Sequence, residues 1–570
     1  MGTPLLKLVA TLARWQARSF VAKLPRSTTI QANFLKSLLQ VQQATVLGQE
    51  LKLAHITTLD QFRQTVPIWP YSAYHPYFER AAAGEQNVVA PEPLLHINLS
   101  SGSTGNQKLI PITRRSQQNR AYANQVAMGF AFTQAQQRGL NLGKMLLTHS
   151  AQSLGQTSGG IPYGHVSSNQ LRSTPGWLYQ QLFAQPRTAQ LISDTLARHY
   201  VCLLFALSDA NLAVIGATFP LVALQLCTYL ETYGASLIED LASGEIADWI
   251  KLEPEFRASL AQQLRPQRDR ARQLAQLLKT AGRLLPQQVW PHLAFMVTAR
   301  GGPSSFYFER FDEYFGDLPI FGGTFAASEA VFGSHWNFNT DGTLLAIASN
   351  FFEFVAPDQW TATYPQTLLP HEVKIGEFYR ILVTNYSGFY RYDIGDVVEV
   401  TGMRAGVPLI AFRYRQGGTL SAISEKTTEY HAVQVLTVLK QHHALAIEDF
   451  CITLSENWVD PYYVLNLELT PNAPVPPLPA VLADFDRQLQ AANQSYALKR
   501  QKNDILPPRL NLLDSGSFAT LRQHRLKPGT PDTAQVKLPH ISSDRTLLAE
   551  VKIQQQVSFS SQSPIGRSSL

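Results

Sequence analysis

The sequence predicts an α/β fold, with a large N-terminal domain followed by a smaller α+β domain. Between residues 94 and 400, short apolar runs alternate with longer helical stretches, which is the pattern of sheets covered by helices. The chain has 570 residues, and single hydrophobic cores stop growing near about 250–300 residues. More than one domain is therefore expected.

The character of the sequence changes at residues 412–421, where arginines and glycines form a short polar stretch suited to a hinge. We therefore assign residues 1–414 to the N-terminal domain and residues 415–550 to the C-terminal domain. Residues 551–570 are rich in Ser and Gln, and this composition predicts a disordered tail.

Apolar periodicity and turn residues predict the individual elements. Residues 1 to about 90 are predicted to be largely helical. Two runs are predicted as buried strands, His199–Leu207 and Leu293–Thr298, and two as helices, Leu221–Leu241 and Ser259–Ala281. The C-terminal domain is predicted to contain a helix, two strands and a second helix, at Glu429–Gln441, Asp449–Leu454, Tyr462–Leu469 and Ala480–Ala497.

The uncharged stretch Leu212–Leu230 is long enough, at 19 residues, to suggest a membrane span. A buried strand followed by a helix that begins at Pro220 explains the same residues, and we prefer that interpretation. The N-terminus mixes Lys7, Arg14 and Arg18 with apolar residues and lacks the apolar core of a signal peptide. We expect a cytoplasmic protein without a membrane partner.

Composition argues against several other classes of protein. The net charge of +6 is small and spread along the chain, and there is no basic stripe with interleaved aromatic residues to indicate nucleic-acid binding. The three cysteines are too few and too scattered for a disulfide framework or a zinc knuckle. The His-Glu-x-x-His, Gly-x-Ser-x-Gly and Gly-x-Gly-x-x-Gly patterns of common metalloproteases, hydrolases and dinucleotide-binding proteins do not occur.

The run Ser100–Lys108 reads Ser-Ser-Gly-Ser-Thr-Gly-Asn-Gln-Lys and lies between two apolar runs. Its glycines let backbone N–H groups turn toward an anion, its hydroxyls can donate to phosphate oxygens, and Lys108 supplies positive charge. The spacing differs from a Walker A loop, and the apolar run after Lys108 predicts a strand rather than a helix. We expect a strand–loop–strand grip for a polyphosphate, with a Ser/Gly-rich surface turn as the alternative.

A second motif, Phe325-Ala-Ala-Ser-Glu329, follows Phe321-Gly-Gly. Its small residues let a ligand approach the backbone, Phe325 can stack on a base, and Glu329 can hold a magnesium ion that bridges phosphate oxygens. The alternative is the start of a helix with Ser328 as its N-cap.

A third motif, Tyr390-Arg-Tyr-Asp-Ile-Gly-Asp396, precedes an apolar strand. Asp396 follows a glycine at the predicted start of that strand, where a carboxylate can accept both hydroxyl groups of a ribose. The alternative is an ordinary turn into an edge strand.

In this order, the three motifs resemble those of the adenylate-forming superfamily and, within it, the Gretchen Hagen (auxin-responsive) family of acyl acid-amido synthetases. Ser101–Lys108 is similar to the superfamily's phosphate loop Ser-Gly-Thr-Thr-Gly-x-Pro-Lys, with Gln107 in place of the proline. Phe325–Glu329 is similar to the family's Tyr-Ala-Ser-Ser-Glu, and Tyr392–Asp396 to its Tyr-Arg-x-Gly-Asp. The resemblance covers roughly residues 30–545 and includes four further segments, Thr157–Ser168, Phe351–Val355, Ser424–Glu429 and Gly516–Phe518.

This resemblance implies a fold and a reaction. The fold is a large adenylate-forming domain with a β-barrel and layered sheets, followed by a small mobile C-terminal lid. With ATP and Mg²⁺, such an enzyme converts a carboxylic acid into an acyl-adenylate and pyrophosphate, and the amine of an amino acid then displaces AMP to form an amide. We expect a monomer that acts on these small molecules. Two alternatives stay open: transfer of the acyl group to a thiol of coenzyme A or a carrier protein, and nucleotide binding without catalysis.

The resemblance also implies roles for individual residues. The phosphate loop would bind the outer phosphates of ATP through Ser100, Ser101, Gly102, Ser103, Thr104, Gly105 and Lys108. The other two motifs would supply Phe325 for the adenine, Ser328 for the α-phosphate, Glu329 for Mg²⁺ and Asp396 for the ribose. Lys426 matches a family lysine in the nucleotide site, and Lys537 matches the C-terminal lysine that neutralises charge developing at the α-phosphate.

Three departures from the family motifs lie close to the implied ligands. Phe325 lacks the hydroxyl of the usual tyrosine, and Ala327 removes another hydroxyl. Asp393 adds negative charge near an anionic ligand unless it points away or pairs with Arg391. Gly159–His165 would border the acyl pocket, but the sequence does not identify the acid.

Overall fold

The structure is a computed structural model that describes residues 4–99, 108–416, 418–423, 425–456, 460–525 and 538–559. Contacts divide the chain into two units, of which the larger runs to Phe412 and the smaller begins at Arg413. Each unit has its own sheets and its own buried apolar clusters.

The larger unit opens with helices, as the sequence predicts for its first 90 residues. The fourth helix begins with a capping box, in which Thr58 accepts a hydrogen bond from the backbone of Gln61 and the Gln61 side chain accepts one from the backbone of Thr58. Pro67 and Pro70 separate this helix from the next. The bounds are α1 Pro4–Lys23, α2 Ser27–Gln42, α3 Val46–Glu50, α4 Leu59–Thr65 and α5 Tyr71–Ala82.

Strands and helices then alternate through the middle of the larger unit. In chain order they are β1 His96–Leu99, β2 Leu109–Ile112, α6 Arg114–Gln137, β3 Met145–Leu147, β4 Gly155–Gln156, β5 Pro162–Gly164, α7 Val166–Ser173, α8 Gly176–Leu182, α9 Thr195–Leu207, β6 Val214–Gly216, α10 Pro220–Ser243, α11 Pro254–Ala261, α12 Arg268–Ala281, α13 Pro286–Val289, β7 Phe295–Val297, α14 Ser305–Phe308 and α15 Phe311–Phe315. β1 and β2 pair antiparallel, with Leu99 opposite Leu109, so strands flank the predicted phosphate loop as expected.

The larger unit ends in strands, the last of which continues three residues past Phe412. They are β8 Ile320–Phe321, β9 Thr324–Ala326, β10 Val331–His335, β11 Thr343–Leu345, β12 Phe351–Val355, β13 Phe378–Asn385, β14 Phe389–Arg404 and β15 Val407–Arg415. β8 completes a parallel sheet in the order β3-β6-β7-β8. The other seven form a sheet in the order β12-β13-β14-β15-β11-β10-β9, and β1 and β2 belong to a third sheet in the order β2-β1-β5-β4. The parallel sheet with its helices confirms the predicted α/β class.

Two predicted elements of this unit differ from the structure. The predicted strand His199–Leu207 is the C-terminal part of α9, where every residue from Ala197 to Leu207 is buried. A helix buried on all sides has the same continuous apolar run as a buried strand, so periodicity could not separate them. The predicted helix Ser259–Ala281 is instead two helices, α11 and α12. Pro266 lies between them and cannot donate the backbone hydrogen bond of a continuous helix.

Helix α10 is, among the described residues, the one helix long and apolar enough by length and composition to cross a membrane. It begins at Pro220, as predicted, and buries Val222, Leu226, Leu230 and Leu237 in an apolar cluster of the larger unit. Its neighbours there include α9 and α12. The apolar run therefore packs as protein core.

The smaller unit is an α+β arrangement, as predicted. Its elements are β16 Thr419–Leu420, β17 Thr427–Thr428, α16 Glu429–His443, β18 Ile447–Leu454, β19 Tyr463–Leu469, α17 Leu478–Ala492, α18 Gln494–Gln501, β20 Arg509–Leu513, α19 Ser517–His524, β21 Ile541–Ser542 and β22 Ile553–Ser558. The main sheet has the order β21-β18-β19-β20-β22 and mixes parallel with antiparallel pairs.

Two predictions for this unit need correction. The single helix expected at Ala480–Ala497 is broken at Asn493, whose side chain accepts a hydrogen bond from Tyr496 N–H and caps α18. The disorder expected from residue 551 onward is wrong for Ile553–Ser558, which pairs antiparallel with β20. Composition missed β22 because this exposed strand is held by backbone pairing and by polar contacts such as Gln556 with Asn511, at 2.8 Å.

Candidate active site

The three sequence motifs meet at the carboxylate of Glu329. Glu329 lies in the turn between β9 and β10 and is only 5% exposed. Its Oε1 accepts a hydrogen bond from the Tyr392 hydroxyl at 3.1 Å and lies 3.4 Å from Lys108 Nζ. Lys108 also donates to the Tyr392 hydroxyl at 3.1 Å. One residue from each motif therefore belongs to a single polar cluster, Lys108–Glu329–Tyr392.

This cluster is held in place from two sides. The Asn385 side-chain amide donates to the backbone carbonyl of Glu329 at 3.0 Å. Lys108 Nζ lies 5.2 Å from the centre of the Tyr71 ring, within the range of a cation–π contact. The Tyr71 hydroxyl accepts from the backbone N–H of Leu109 at 2.7 Å and donates to its carbonyl at 3.2 Å. Tyr71 therefore fixes the start of β2, next to Lys108 at the end of the predicted phosphate loop.

Tyr71 is a contributor that the sequence analysis missed. Burial raises the pKa of its hydroxyl to about 12, with the carboxylate of Glu329 adding to the effect and a hydrogen bond to Leu109 opposing it. The side chain is consequently a neutral donor at physiological pH. In the sequence, Tyr71 stands among other aromatic residues such as Trp69. Such a cluster predicts core packing and does not indicate a site residue.

Arg120, on α6, is a second residue at the site that no motif revealed. Its Nη2 donates to the backbone carbonyls of Ala327 and Ser328, at 2.9 and 3.0 Å. Burial lowers the pKa of the guanidinium to about 10, and the carboxylate of Glu329 opposes that shift, so the group stays charged near neutral pH. Its position depends on how α6 packs beneath the β9–β10 turn, which no local pattern encodes.

The second motif forms a turn and not the start of a helix, so the N-cap alternative for Ser328 is wrong. β9 ends at Ala326 and β10 begins at Val331. The Ser328 hydroxyl lies 3.5 Å from the carbonyl of Leu99, at the end of β1 where the phosphate loop begins. Phe325, on the edge strand β9, is half-buried and stacks on Phe332 with ring centres 5.0 Å apart.

The third motif lies inside a long strand, β14, between β13 and β15. Asp396 therefore lies in the middle of a strand and is 2% exposed. The predicted position at the start of a strand is wrong, and so is the alternative of a turn into an edge strand. Arg391 has a left-handed backbone, with φ of 48°, and its Nε donates to the buried carboxylate of Glu353 at 3.0 Å. Asp393 lies 3.5 Å from Arg380 and accepts from Gly395 N–H at 2.9 Å. Asp393 is thus compensated by Arg380, and Arg391 is engaged elsewhere.

The predicted border of the acyl pocket lies beside β1. β5 places Tyr163 and Gly164 opposite Ile97 and Asn98. Gly159 packs so closely on the end of α5 that a Cβ there would lie 2.4 Å from a backbone nitrogen of Gly84.

Farther along β1, the imidazole of His96 is neutral near pH 7. Its pKa falls to about 4 because of burial and of the charges on Arg172 and Arg120.

The remaining predicted residues of the loop and of the C-terminal part of the chain fall into two groups. Ser100, Ser101, Gly102, Ser103, Thr104, Gly105 and Lys537 lie outside the described residues. Lys426 belongs to the smaller unit and is exposed, with a left-handed φ of 49°. Its neighbour Glu425 is buried. Burial alone would raise the Glu425 pKa, but hydrogen bonds from backbone N–H groups and from the Tyr463 hydroxyl hold it below its usual value.

Glu329 offers a hard oxygen ligand suited to Mg²⁺. In the ranges that the structure describes, there is no group of three or more His, Cys, Asp or Glu side chains that could hold a metal by itself. Mg²⁺ is usually held by one or two carboxylates together with substrate phosphates and water. A single buried carboxylate beside the cation of Lys108 fits that pattern.

Comparisons with known proteins find similar sequences along most of the chain. Models of the GH3 family match the chain in three stretches: the N-terminal domain at residues 16–320, the central domain at 343–415 and the C-terminal domain at 430–546. The chain is 26% identical over 509 residues to the indole-3-acetic acid-amido synthetase GH3.15 of Arabidopsis thaliana, covering 84% of each chain. It is 25% identical over 535 residues to the jasmonoyl–L-amino acid synthetase JAR4 of Nicotiana attenuata, covering 90% of each.

Two solved structures share the fold. The AtGH3.15 acyl acid amido synthetase in complex with 2,4-DB superposes with a TM-score of 0.83 at 23% identity, covering 95% of this chain and 96% of that one. A 2-hydroxyisobutyryl-CoA ligase in its postadenylation state gives a TM-score of 0.54 at 13% identity, covering 92% and 91%. The overall architecture is therefore that of adenylate-forming enzymes.

Proposed function

Because the chain belongs to the GH3 family, we propose that it activates a carboxylic acid with ATP and joins the acyl group to the amine of an amino acid. The observation that carries this proposal is the cluster Lys108–Glu329–Tyr392, in which the three adenylation motifs meet around one buried carboxylate. The products would be an amide, AMP and pyrophosphate.

In the first half-reaction, an oxygen of the acid attacks the α-phosphorus of ATP and the bond to the bridging oxygen of pyrophosphate breaks. Lys108 would neutralise the outer phosphates as a point charge, and the hydroxyls of Ser101 and Thr104 would be further donors. The ion pair between Lys108 and Glu329 would open when the phosphates bind. Glu329 is then the residue that would hold Mg²⁺, which supplies charge neutralisation across the phosphates.

Arg120 would orient the acid. Among the described residues, only its Nη2 donates hydrogen bonds to the protein. We therefore expect Nε and Nη1 to donate to the carboxylate of the acid. Those partners are the carbonyls of Ala327 and Ser328, beside the position proposed for the α-phosphate. This brings the nucleophilic oxygen close to the phosphorus, and such positioning supplies much of the catalysis in reactions of this kind.

The remaining assignments come from the family motifs. Phe325 would offer its ring to adenine and Asp396 its carboxylate to the ribose. Lys426 and Lys537 would bring charge from the C-terminal part of the chain to the α-phosphate. In the second half-reaction the amino acid nitrogen attacks the acyl carbon, the bond to AMP breaks, and the amine loses a proton to give the amide.

Acid-dependent exchange of labelled pyrophosphate into ATP tests the first half-reaction. The names of the relatives suggest indole-3-acetic and jasmonic acids as probes, and benzoic and fatty acids widen the screen. Glu329→Gln should lower exchange by at least about a hundredfold, since it removes the ligand for Mg²⁺. Glu245→Gln, an exposed site on the larger unit, is the matched control and should behave like the wild type. A wild-type rate of pyrophosphate exchange in Glu329→Gln would refute the assignment of Glu329 to Mg²⁺.

The lysine prediction has its own test. Lys537→Ala should abolish acid-dependent exchange while leaving ATP binding, measured by calorimetry, largely intact. Near-normal exchange in this variant would remove Lys537 from the mechanism.

The thiol acceptor is a weaker candidate, because the relatives named above are amido synthetases. Incubation with an acid, ATP and either mixed amino acids or coenzyme A, followed by mass spectrometry, separates the two. An amide supports the proposal, and a thioester formed at a higher rate contradicts it.

A further inference from the structure

Helix α1 exposes an apolar stripe at the surface of the larger unit. Leu8, Leu12 and Trp15 are 54%, 58% and 65% exposed. Their spacing of four and three residues places them on one side of the helix, within an arc of about 60° at about 100° per residue. Large apolar side chains scattered singly on a surface are ordinary, but an aligned set on one helix face indicates a binding surface.

The opposite face of α1 is firmly attached to the protein. Ala10, Ala13, Ala17 and Phe20 are buried there. α1 packs on α6 so closely that a Cβ at Gly129 would lie 2.0 Å from the carbonyl oxygen of Ala13. The exposed stripe therefore belongs to a helix that already packs on the protein through its other face.

The charge on α1 has a single sign. Residues 4–23 contain Lys7, Arg14, Arg18 and Lys23 and no Asp or Glu. Arg14 donates hydrogen bonds to Gln136 and Thr11, and Lys23 lies 3.4 Å from the hydroxyl of Tyr122. All three of these partner side chains are uncharged. Within the described ranges, no carboxylate forms an ion pair with any of the four cations. The helix therefore presents uncompensated positive charge beside its apolar stripe.

A second exposed tryptophan lies on a helix that contacts α1. Helix α8 contacts α1 and carries Trp177, which is 63% exposed. The seven residues of α8, Gly176–Leu182, include no charged side chain. Tryptophan is enriched where proteins meet the boundary between water and lipid, because its ring is apolar and its N–H is polar.

We propose that α1, together with Trp177, docks the protein onto the surface of a membrane that contains anionic phospholipid. The helix would lie in the plane of the interface, with Leu8, Leu12 and Trp15 among the headgroups and upper acyl chains and the cations at the phosphates. It would not span the bilayer, since its other face is buried in the protein. The same surface on a second copy of the chain would bring like charges together, which favours lipid as the occupant.

This proposal departs from the sequence-based expectation of no membrane partner. That expectation followed from the lack of a spanning segment and of a signal peptide. Neither criterion detects a helix that lies on a surface, and burial along α1 is needed to show that Leu8, Leu12 and Trp15 are not core residues.

Vesicle flotation of the full-length protein tests the proposal. Vesicles of phosphatidylcholine alone are compared with vesicles that contain about 30% phosphatidylglycerol, at low salt and at about 0.5 M salt. We expect flotation with the anionic vesicles only, reduced by salt. The combined variant Leu8→Ser, Leu12→Ser, Trp15→Ser should bind at least about tenfold more weakly, because it removes the inserted apolar area. Lys7→Gln and Arg18→Gln should each weaken binding about fivefold.

Two controls keep the result interpretable. Tyr364→Ser with Ile375→Ser removes exposed apolar side chains elsewhere on the larger unit, at 90% and 62% exposure, and should bind like the wild type. Circular dichroism and acid-dependent pyrophosphate exchange should be unchanged in every variant. Equal flotation of the stripe variant and the wild type would overturn the proposal. Failure of the wild type to bind anionic vesicles would also overturn the proposal. If light scattering then showed a dimer that the stripe variant loses, the stripe would be an interface between two copies of the chain instead.

Discussion

Replacing Arg391 with Met should destabilise the larger unit without weakening nucleotide binding by the folded protein. Arg391 lies in the third motif, next to residues assigned to ATP, yet its side chain points into a structural network. Its Nε donates to Glu353 at 3.0 Å, and its Nη1 donates to the carbonyls of Arg63 and Val66, each at 2.9 Å. The two side chains of the ion pair are only 6% and 1% exposed.

The expected magnitude follows from the partner left behind. Without the guanidinium, the buried carboxylate of Glu353 keeps the hydroxyl of Thr367 at 2.6 Å and Arg63 at 3.3 Å, but loses its closest cation. Breaking a buried ion pair from one side typically costs about 3–5 kcal/mol. The double variant Arg391→Met, Glu353→Gln removes the stranded charge and should recover about 1–3 kcal/mol of that loss.

Urea unfolding followed by tryptophan fluorescence measures this effect, since seven of the eight tryptophans precede residue 413. ATP affinity, measured by calorimetry at low urea, should match the wild type for both variants. A loss below about 1 kcal/mol for Arg391→Met would refute the structural role. A double variant no more stable than the single one would show that the stranded carboxylate is not the cause.

Three further predictions concern the site and the smaller unit. Tyr392→Phe should slow pyrophosphate exchange about tenfold or more, because it removes a hydroxyl that holds both the lysine and the glutamate of the cluster; a rate within twofold of the wild type would contradict the assignment. His540 is buried, which favours its neutral form, but the carboxylates of Glu429 at 3.1 Å and Asp449 at 3.6 Å outweigh this and raise its pKa. Its stabilising contribution should therefore be complete below about pH 6.5 and fall as the pH rises through the raised value, and His540→Gln should flatten that profile in hydrogen-exchange measurements of the smaller unit. Gly159→Val should lower the affinity for the acid at unchanged ATP affinity, since even a Cβ would meet backbone at 2.4 Å and displace the segment beside β1; equal acid affinity would separate this segment from the pocket.

Much of the architecture could be predicted because local sequence and tertiary structure agree. The apolar runs around the phosphate loop are the paired strands β1 and β2, and Pro220 starts α10. The strand predicted at His199 is wrong because a helix buried on every side has the same continuous apolar run as a buried strand. Strand β22 was missed because backbone pairing with β20, rather than apolar burial, holds it in the sheet.

The candidate site was predictable only where its residues sit in motifs. Glu329 and Lys108 were assigned from short patterns, and the structure brings them within 3.4 Å. Tyr71 and Arg120 were not assigned, because their roles arise from the packing of α5 and α6 against the motif turns and not from any spacing. The partner of Asp393 was also beyond local reasoning, since Arg380 lies on the neighbouring strand β13.

The central claim is that the acid becomes an acyl-adenylate before the amide forms. Labelling both carboxylate oxygens of the acid with oxygen-18 tests this directly, with ATP and an amino acid present. Attack of the carboxylate on the α-phosphorus leaves one labelled oxygen in AMP when the amide forms, and mass spectrometry of AMP should show it in every turnover. Unlabelled AMP, or label appearing in inorganic phosphate beside ADP, would contradict the account.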